Sequence, residues 1–325
     1  MASKQGASKV LAIEASGDMV NLAKLNVERN GEKGKITIIH DLSSNVQLAE
    51  EDKAEAIVSE TLGALMLGEG MLDYLVDARR RLCRPGAAVI PAGGAQYATL
   101  GRRISSPSLA MVSSVNSQCC KGFDLSAIGS LQDTGNLFFT KQWGFRLNSL
   151  PAVERLVHVR NMPGRVCPVA PGPPSPLDLG AAWTTVAPDL VEMSERVSIL
   201  EVDFGHTERA HIPATKTFRL QALHDGIVHA VVASWEVWAA NKAHRITTHH
   251  EDTKHEPWGF ARDMQWGQGL QLVEDFDAAG RSERNAAPAS FVVKAGEALL
   301  LSVRFSVPCR QTFQFTLRRE GSKEA

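Results

Sequence analysis

The sequence predicts two joined architectures: a doubly wound α/β sheet over residues 1–91 and a β-barrel over residues 92–325. Short aliphatic strands alternate with amphipathic helical stretches as far as Pro91, which is the pattern of a mostly parallel sheet. From Val197 onward that alternation is gone and β-like runs recur between turn residues, as in a barrel or sandwich. No apolar run approaches the roughly 18–20 residues that a membrane helix needs.

Residues 1–8 (MASKQGAS) read as the tail of a helix that stops at Gly6, and residues 9–15 (KVLAIEA) as a strand carrying Glu14 at its end. Ser16-Gly17-Asp18 opens a helix with apolar Met19, Val20, Leu22, Ala23, Leu25 and Val27, and Asn30-Gly31 stops it. Residues 35–40 and 54–60 are the second and third strands. A helix over 71–82 carries Met71, Leu72, Leu75, Val76 and Leu82, with Arg79, Arg80 and Arg81 complementing the dipole near its C-terminal end. Arg84-Pro85-Gly86 ends it, and a strand starts over 87–91. Beyond Pro91, residues 96–100 are a strand, 105–118 a Ser-rich loop with a short helix, and 165–176 a Pro-rich loop or polyproline II segment. The later β-like runs are 198–204, 217–220, 228–237, 270–274, 298–305 and 312–317.

Composition excludes several functions. Lys and Arg number 35 against 36 Asp and Glu, so no basic footprint for direct nucleic-acid binding is expected. Cys83, Cys119, Cys120, Cys167 and Cys309 show no metal-ligand spacing and suit a reducing compartment. His249, His250 and His255 lack a Cys partner or an HExxH pattern, so no metal is expected. Residues 1–8 do not resemble a signal peptide. These features point to a soluble cytoplasmic protein with no membrane partner, the nucleus being the other candidate location. Trp235 and Trp238 are expected in the barrel core.

The chemistry concentrates in residues 57–72, IVSETLGALMLGEGML. A strand ends at Glu60, and Glu69 follows nine residues later between Gly68 and Gly70. Strand ends in open α/β sheets face ligand crevices. Two carboxylates there form a clamp for a planar cation, and an arginine guanidinium offers five N–H donors in a matching fork. On spacing alone, a solvated strand-end Glu plus a Glu favoured by a helix N-terminal dipole is an equally good reading. Glu14, at its own strand end, is placed to accept hydrogen bonds from ribose hydroxyls.

Ser59-Glu60 and Gly68-Glu69-Gly70-Met71-Leu72 resemble the double-glutamate loop of the protein arginine N-methyltransferases, and the Gly-Glu-Gly form is most similar to their monomethylating, type III branch. The resemblance runs over nearly the whole chain. It implies a Rossmann-like domain that binds S-adenosylmethionine, and a β-barrel that binds substrate with a dimerisation arm near 122–150, within which 122–132 (GFDLSAIGSLQ) carries the likeness. It implies Glu60 and Glu69 as the guanidinium clamp, Ser43 and Ser44 beside the adenine, and Met71 near the sulfonium. Met264-Gln265-Trp266 resembles the Thr-His-Trp loop that closes the arginine pocket, with Gln265 in the slot of the usual His. Glutamine hydrogen-bonds but cannot form the ion pair, which fits monomethylation. Implied partners are arginine-containing proteins, with histones or RNA-binding proteins among the candidates, and a second copy of the chain.

One family feature has no counterpart. No strand running into a Gly-rich turn and a helix N-terminus precedes Glu14. In the family that strand is central, so strands 9–15 and 54–60 are expected to flank an empty slot. Two explanations stay open: a truncated gene model of an active enzyme, favoured because the downstream residues are intact, or a catalytically inactive relative that regulates or binds an active methyltransferase.

Overall fold

In the computed structural model, residues 1–63, 65–102, 191–249, 269–273, 290–306 and 313–322 are described. The arm at 122–150, the Pro-rich stretch and Met264-Gln265-Trp266 lie outside them. The chain divides into two units: Met1–Ser59 with Leu72–Ile90, and Glu60–Met71 with Pro91–Ala325. The boundary near Pro91 follows the change of sequence pattern, but the segment carrying both candidate glutamates groups with the second unit.

In the first unit, β1 (Val10–Glu14) pairs in parallel with β2 (Ile36–His40), setting Glu14 opposite His40. Helix α1 (Gly17–Arg29) connects them. Its N-cap Ser16 is extended and makes no side-chain cap; the Ser16 N–H instead donates to Glu14 Oε1 at 2.7 Å. Gly31 takes φ +68°, the left-handed conformation that lets the chain leave the helix. A second parallel pair joins β3 (Ala54–Val58) to β4 (Cys83–Ile90), with a bulge between Ala54 and Ala56. Arg84-Pro85-Gly86, expected as a terminator, lies inside β4; that irregular register and Gly86 at φ +80° accommodate it.

Helix α2 (Met71–Arg81) covers one side of this unit. Its Ala78, with Val46 and Leu82, forms a buried cluster on which Ile13, Ile39, Leu48 and Ile57 pack. Strands from both parallel pairs therefore share one apolar core. Among the described residues no ladder joins β1 to β3, so the doubly wound sheet is present as two two-stranded pieces. Parallel sheets are normally covered on both faces. Here Val58 and its partner Ile90 are 68% and 48% exposed, and Met19, Leu22 and Leu25 of α1 are exposed as well.

The second unit is β throughout its described elements, apart from a 3-10 turn at Arg209–His211. Its strands are β5 (Gly93–Arg102), β6 (Val191–Glu192), β7 (Val197–Asp203), β8 (Thr215–Gln221), β9 (Gly226–Val228), β10 (Ala230–Trp238), β11 (Arg245–Thr247), β12 (Gly269–Leu272), β13 (Phe291–Val293), β14 (Ala298–Phe305) and β15 (Phe313–Arg319). β5 is the centre of a six-stranded sheet, antiparallel to β10 over its length and to β7 and β6 on its other side. β14 and β15 bury alternate residues, including Leu299, Leu301, Val303, Phe305, Phe313 and Phe315, as the two-residue strand period requires. The Gln271 side chain imitates a ladder rung: Nε2 donates to Phe315 O at 2.6 Å and Oε1 accepts from Phe315 N–H at 2.7 Å. It thereby ties β12 of the six-stranded sheet to β15 of the three-stranded one. Trp235 is fully buried on β10, in the core role expected of it.

Candidate functional site

The segment Glu60–Met71 is a compact loop, and its composition explains its shape. Leu62, Leu65, Met66, Leu67 and Met71 are all buried, whereas Glu60 and Glu69 are exposed. Gly63 and Met66 form an isolated antiparallel bridge, each N–H donating to the other's carbonyl at 3.1 and 3.0 Å. Gly70 turns at φ +85° and its N–H donates to Leu67 O at 3.0 Å. Gly63 is required by close approach. A Cβ there would stand 3.1 Å from Glu69 N, 3.1 Å from Gly68 Cα and 3.2 Å from Glu69 Cγ. The glycine thus lets the first arm of the loop lie against Glu69.

The Glu60 carboxyl responds to its surroundings in the loop. Partial desolvation pushes the Glu60 carboxyl above the usual carboxylate range, the Leu62 N–H pulls it down, and the Glu69 carboxylate pushes it up again. Two acceptor-only groups on one short loop suit a ligand that presents several N–H donors in one plane. Among the described residues, no group of three or more His, Cys, Asp or Glu is arranged to hold a metal ion.

Glu14 and Ser43-Ser44 lie at the C-terminal end of the β1–β2 pair, where ligands of parallel sheets gather. Asp41 N–H donates to Glu14 O at 3.1 Å, joining the segment after β2 to the end of β1. Ser43 and Ser44 start a single 3-10 turn, Ser43–Asn45. Ser44 is exposed and Ser43 half-buried. Met71 is fully buried at the start of α2. Gln265 and Trp266 lie outside the described residues, so the structure brings together Glu60 with Glu69, and Glu14 with the Ser43-Ser44 turn.

Two features of these sites were not singled out from sequence. Arg81 was assigned to the helix dipole, yet its guanidinium is a clip: Nη1 donates to Val46 O at 2.6 Å and Nη2 to Ser43 O at 2.8 Å, while Asp77 takes the rest of the fork. The Asp77/Arg81 spacing of one helical turn was the available signal. The second is Gly93-Gly94, which belongs to β5 rather than to a turn. A Cβ on Gly93 would meet Val202 O at 2.7 Å and Trp238 Nε1 at 2.8 Å; one on Gly94 would meet Met66 Sδ at 2.7 Å. His249, weighed above as a metal ligand, is buried, with Nδ1 2.7 Å from Ser234 Oγ and its ring edge-to-face with Tyr97. His250 and His255 lie outside the described residues.

No protein-family model matches the chain. In sequence it is similar to a probable protein arginine N-methyltransferase 6 of Arabidopsis thaliana, 35% identical over 92 residues, which are 28% of this chain and 20% of that protein. It is similar also to protein arginine N-methyltransferase 7 of Caenorhabditis briggsae, 34% identical over 97 residues, 30% of this chain and 15% of that protein. These matches span about a fifth or less of the curated relatives' length. In fold it is similar to a chain of the Trypanosoma brucei PRMT1 enzyme-prozyme heterotetrameric complex with AdoHcy, with a TM-score of 0.61 at 17% identity over 99% of this chain and 80% of that one. The Arabidopsis thaliana protein arginine methyltransferase 10 gives a TM-score of 0.58 at 15% identity, over 97% of this chain and 78% of that one. The chain is thus similar to protein arginine N-methyltransferases, in sequence over a limited segment and in fold over nearly all of its length.

Proposed function

We propose that this chain is a protein arginine N-methyltransferase that uses S-adenosylmethionine and makes monomethylarginine. The observation that carries the reading is the Glu60–Glu69 loop, with its apolar side chains buried and both carboxylates exposed. Arginine's charge is spread over three nitrogens, so each is a poor nucleophile. Glu60 and Glu69 accept hydrogen bonds from the terminal N–H groups, fix the guanidinium plane and draw positive charge away from the attacking nitrogen. The raised Glu60 carboxyl suits it to accept the proton that leaves the guanidinium nitrogen as it is alkylated. Bound S-adenosylmethionine would supply an electrophilic methyl group on sulfur.

The fit to that cofactor is partial. Glu14 Oε1 already accepts the Ser16 N–H, which steadies the carboxylate and leaves Oε2 and further lone pairs for ribose hydroxyls. Ser43-Ser44, held through Ser43 O by Arg81, is the adenine-side candidate. Among the described residues, the Gly68-Glu69-Gly70 turn that opens α2 carries a carboxylate of the clamp, which does not suit the carboxylate at the amino-acid end of the ligand. Gln265 in the place of a pocket His is the basis for monomethylation, and Trp266 is assigned to closing the pocket.

A second reading has its own support. The unjoined β1–β3 edges and the exposed Met19, Leu22 and Leu25 of α1 suit a chain completed by a partner, as an inactive relative of an active methyltransferase or as one half of a homodimer. One experiment separates the readings. The chain is incubated with an arginine-containing peptide and millimolar S-adenosylmethionine, and the product is analysed by mass spectrometry. Monomethylarginine supports the enzyme. No product alone, with product restored to an added methyltransferase partner, supports the second reading. Abundant dimethylarginine contradicts the assignment to Gln265.

A further inference from the structure

The Glu60–Glu69 loop rests on one side chain whose backbone is unfavourable. Met66 is fully buried and sits at φ +52°, in the left-handed region where a residue with a Cβ is strained. Such a conformation persists only where its surroundings hold it. The Met66 side chain packs closely at Gly94, where any Cβ would fall 2.7 Å from Met66 Sδ, 2.9 Å from Glu236 O and 2.9 Å from Val237 Cγ1. Gly94 lies on β5, with Val202 of β7 on one side and Val237 of β10 on the other, so it is a fixed point in the sheet. From there the linkage runs to the carboxylates. The Met66 backbone is bonded in both directions to Gly63, and Gly63 lies against Glu69 N and Cγ. Glu60 enters the same bridge three residues ahead of Gly63.

We propose that Met66 seated on Gly94 is a positioning latch that sets the span between Glu60 and Glu69 and so tunes the loop to a planar guanidinium. The ligand half of this statement rests on the clamp reading above; the latch itself does not. Leu301→Ala supplies an internal control, because it removes a fully buried side chain from β14, in the three-stranded sheet to which Gly94 does not belong. Met66→Gly supplies a variant that tolerates the positive φ and removes the latch.

The test uses the full 325-residue chain with carbon-labelled glutamate. Carboxyl NMR titrations give the Glu60 midpoint in the wild type, Glu69→Gln, Met66→Gly, Gly94→Ala and Leu301→Ala. Calorimetry with acetyl-Gly-Arg-Gly-amide gives guanidinium affinity in the same proteins. Glu69→Gln is expected to lower the Glu60 midpoint, since it removes a like charge. Met66→Gly is expected to lower it as well, by widening the span, and to weaken the peptide about tenfold, the scale of one lost charge-assisted contact. Leu301→Ala is expected to leave both unchanged. A Glu60 midpoint in Met66→Gly that equals or exceeds the wild type overturns the latch, and so does the same shift in Leu301→Ala. If Gly94→Ala does not fold, the Met66→Gly and Leu301→Ala pair still decides. A midpoint that moves with Met66→Gly while Glu69→Gln leaves peptide affinity intact upholds the latch and removes the clamp.

Discussion

Replacing Met66 with glycine and, separately, with alanine should erase the usual stability gap between those two residues. In most buried positions glycine is the worse replacement, because it adds unfolded-state entropy of about 0.5–1 kcal/mol and removes a further methyl worth about 0.8 kcal/mol. At Met66 both variants lose the same large side chain from a fully buried position, a cost of about 2–5 kcal/mol. Only alanine keeps the penalty of a Cβ at φ +52°, about 1–2 kcal/mol. That penalty about cancels the ordinary advantage of alanine, so Met66→Gly is expected to lie within about 0.8 kcal/mol of Met66→Ala, where glycine would ordinarily trail by about 1.3–1.8 kcal/mol. Urea denaturation followed by tryptophan fluorescence, with midpoints compared at equal m-value, measures the difference. A Met66→Ala protein more stable than Met66→Gly by about 1 kcal/mol or more would refute the left-handed backbone and the strain argument built on it.

Three other outcomes are expected. The folded Glu60 carboxyl holds its proton to higher pH than in the unfolded chain. In the window between those two midpoints the folded state binds more protons, so stability falls as pH rises through it. Glu60→Gln should abolish that fall and raise the denaturation midpoint at pH 7 relative to the wild type; a lower midpoint at pH 7 contradicts the cause given for the shift. Glu14→Gln should weaken S-adenosylmethionine in calorimetric titration by about one to two decades, the scale of one lost charge-assisted contact of about 1.5–3 kcal/mol, and unchanged affinity would remove Glu14 from the ribose site. Arg81→Gln should also weaken cofactor binding without unfolding the unit, because it frees the Ser43–Asn45 turn from its carbonyl bonds; unchanged affinity would remove that turn from the adenine site.

The parts legible in the sequence were those governed by local periodicity. α1 and α2 announced themselves by amphipathic spacing and by Asn30-Gly31 and the arginines at their ends. β14 and β15 came through because buried and exposed residues alternate along them, β10 because it is a nearly wholly buried apolar run, and β7 and β8 as β-rich runs bounded by turns. β6, β11 and β13 are two or three residues long, too short to carry a period. β5 starts three residues ahead of the strand read from residue 96, and packing against Trp238 and Met66 is what demands Gly93-Gly94 there. The same reason hid the latch. Nothing in a methionine codon's neighbourhood specifies φ +52°, and the side chain packs at a residue almost thirty positions away in the chain. Arg81 was hidden differently: its partners are backbone carbonyls of Ser43 and Val46, which leave no trace in side-chain type. Glu60 and Glu69 stood out through the motif Gly68-Glu69-Gly70 and the residue types themselves, whereas their spacing alone fits a solvated pair equally well.

The loop's assignment as a guanidinium clamp is tested most directly by Glu69→Gln in a methyl-transfer assay. The substitution keeps size and exposure, so folding should match the wild type by circular dichroism. At millimolar S-adenosylmethionine and with an arginine peptide, the account predicts that transfer falls about a hundredfold or more, the scale expected when a group aimed at developing charge is removed. Transfer near the wild-type rate in the folded Glu69→Gln protein would contradict it.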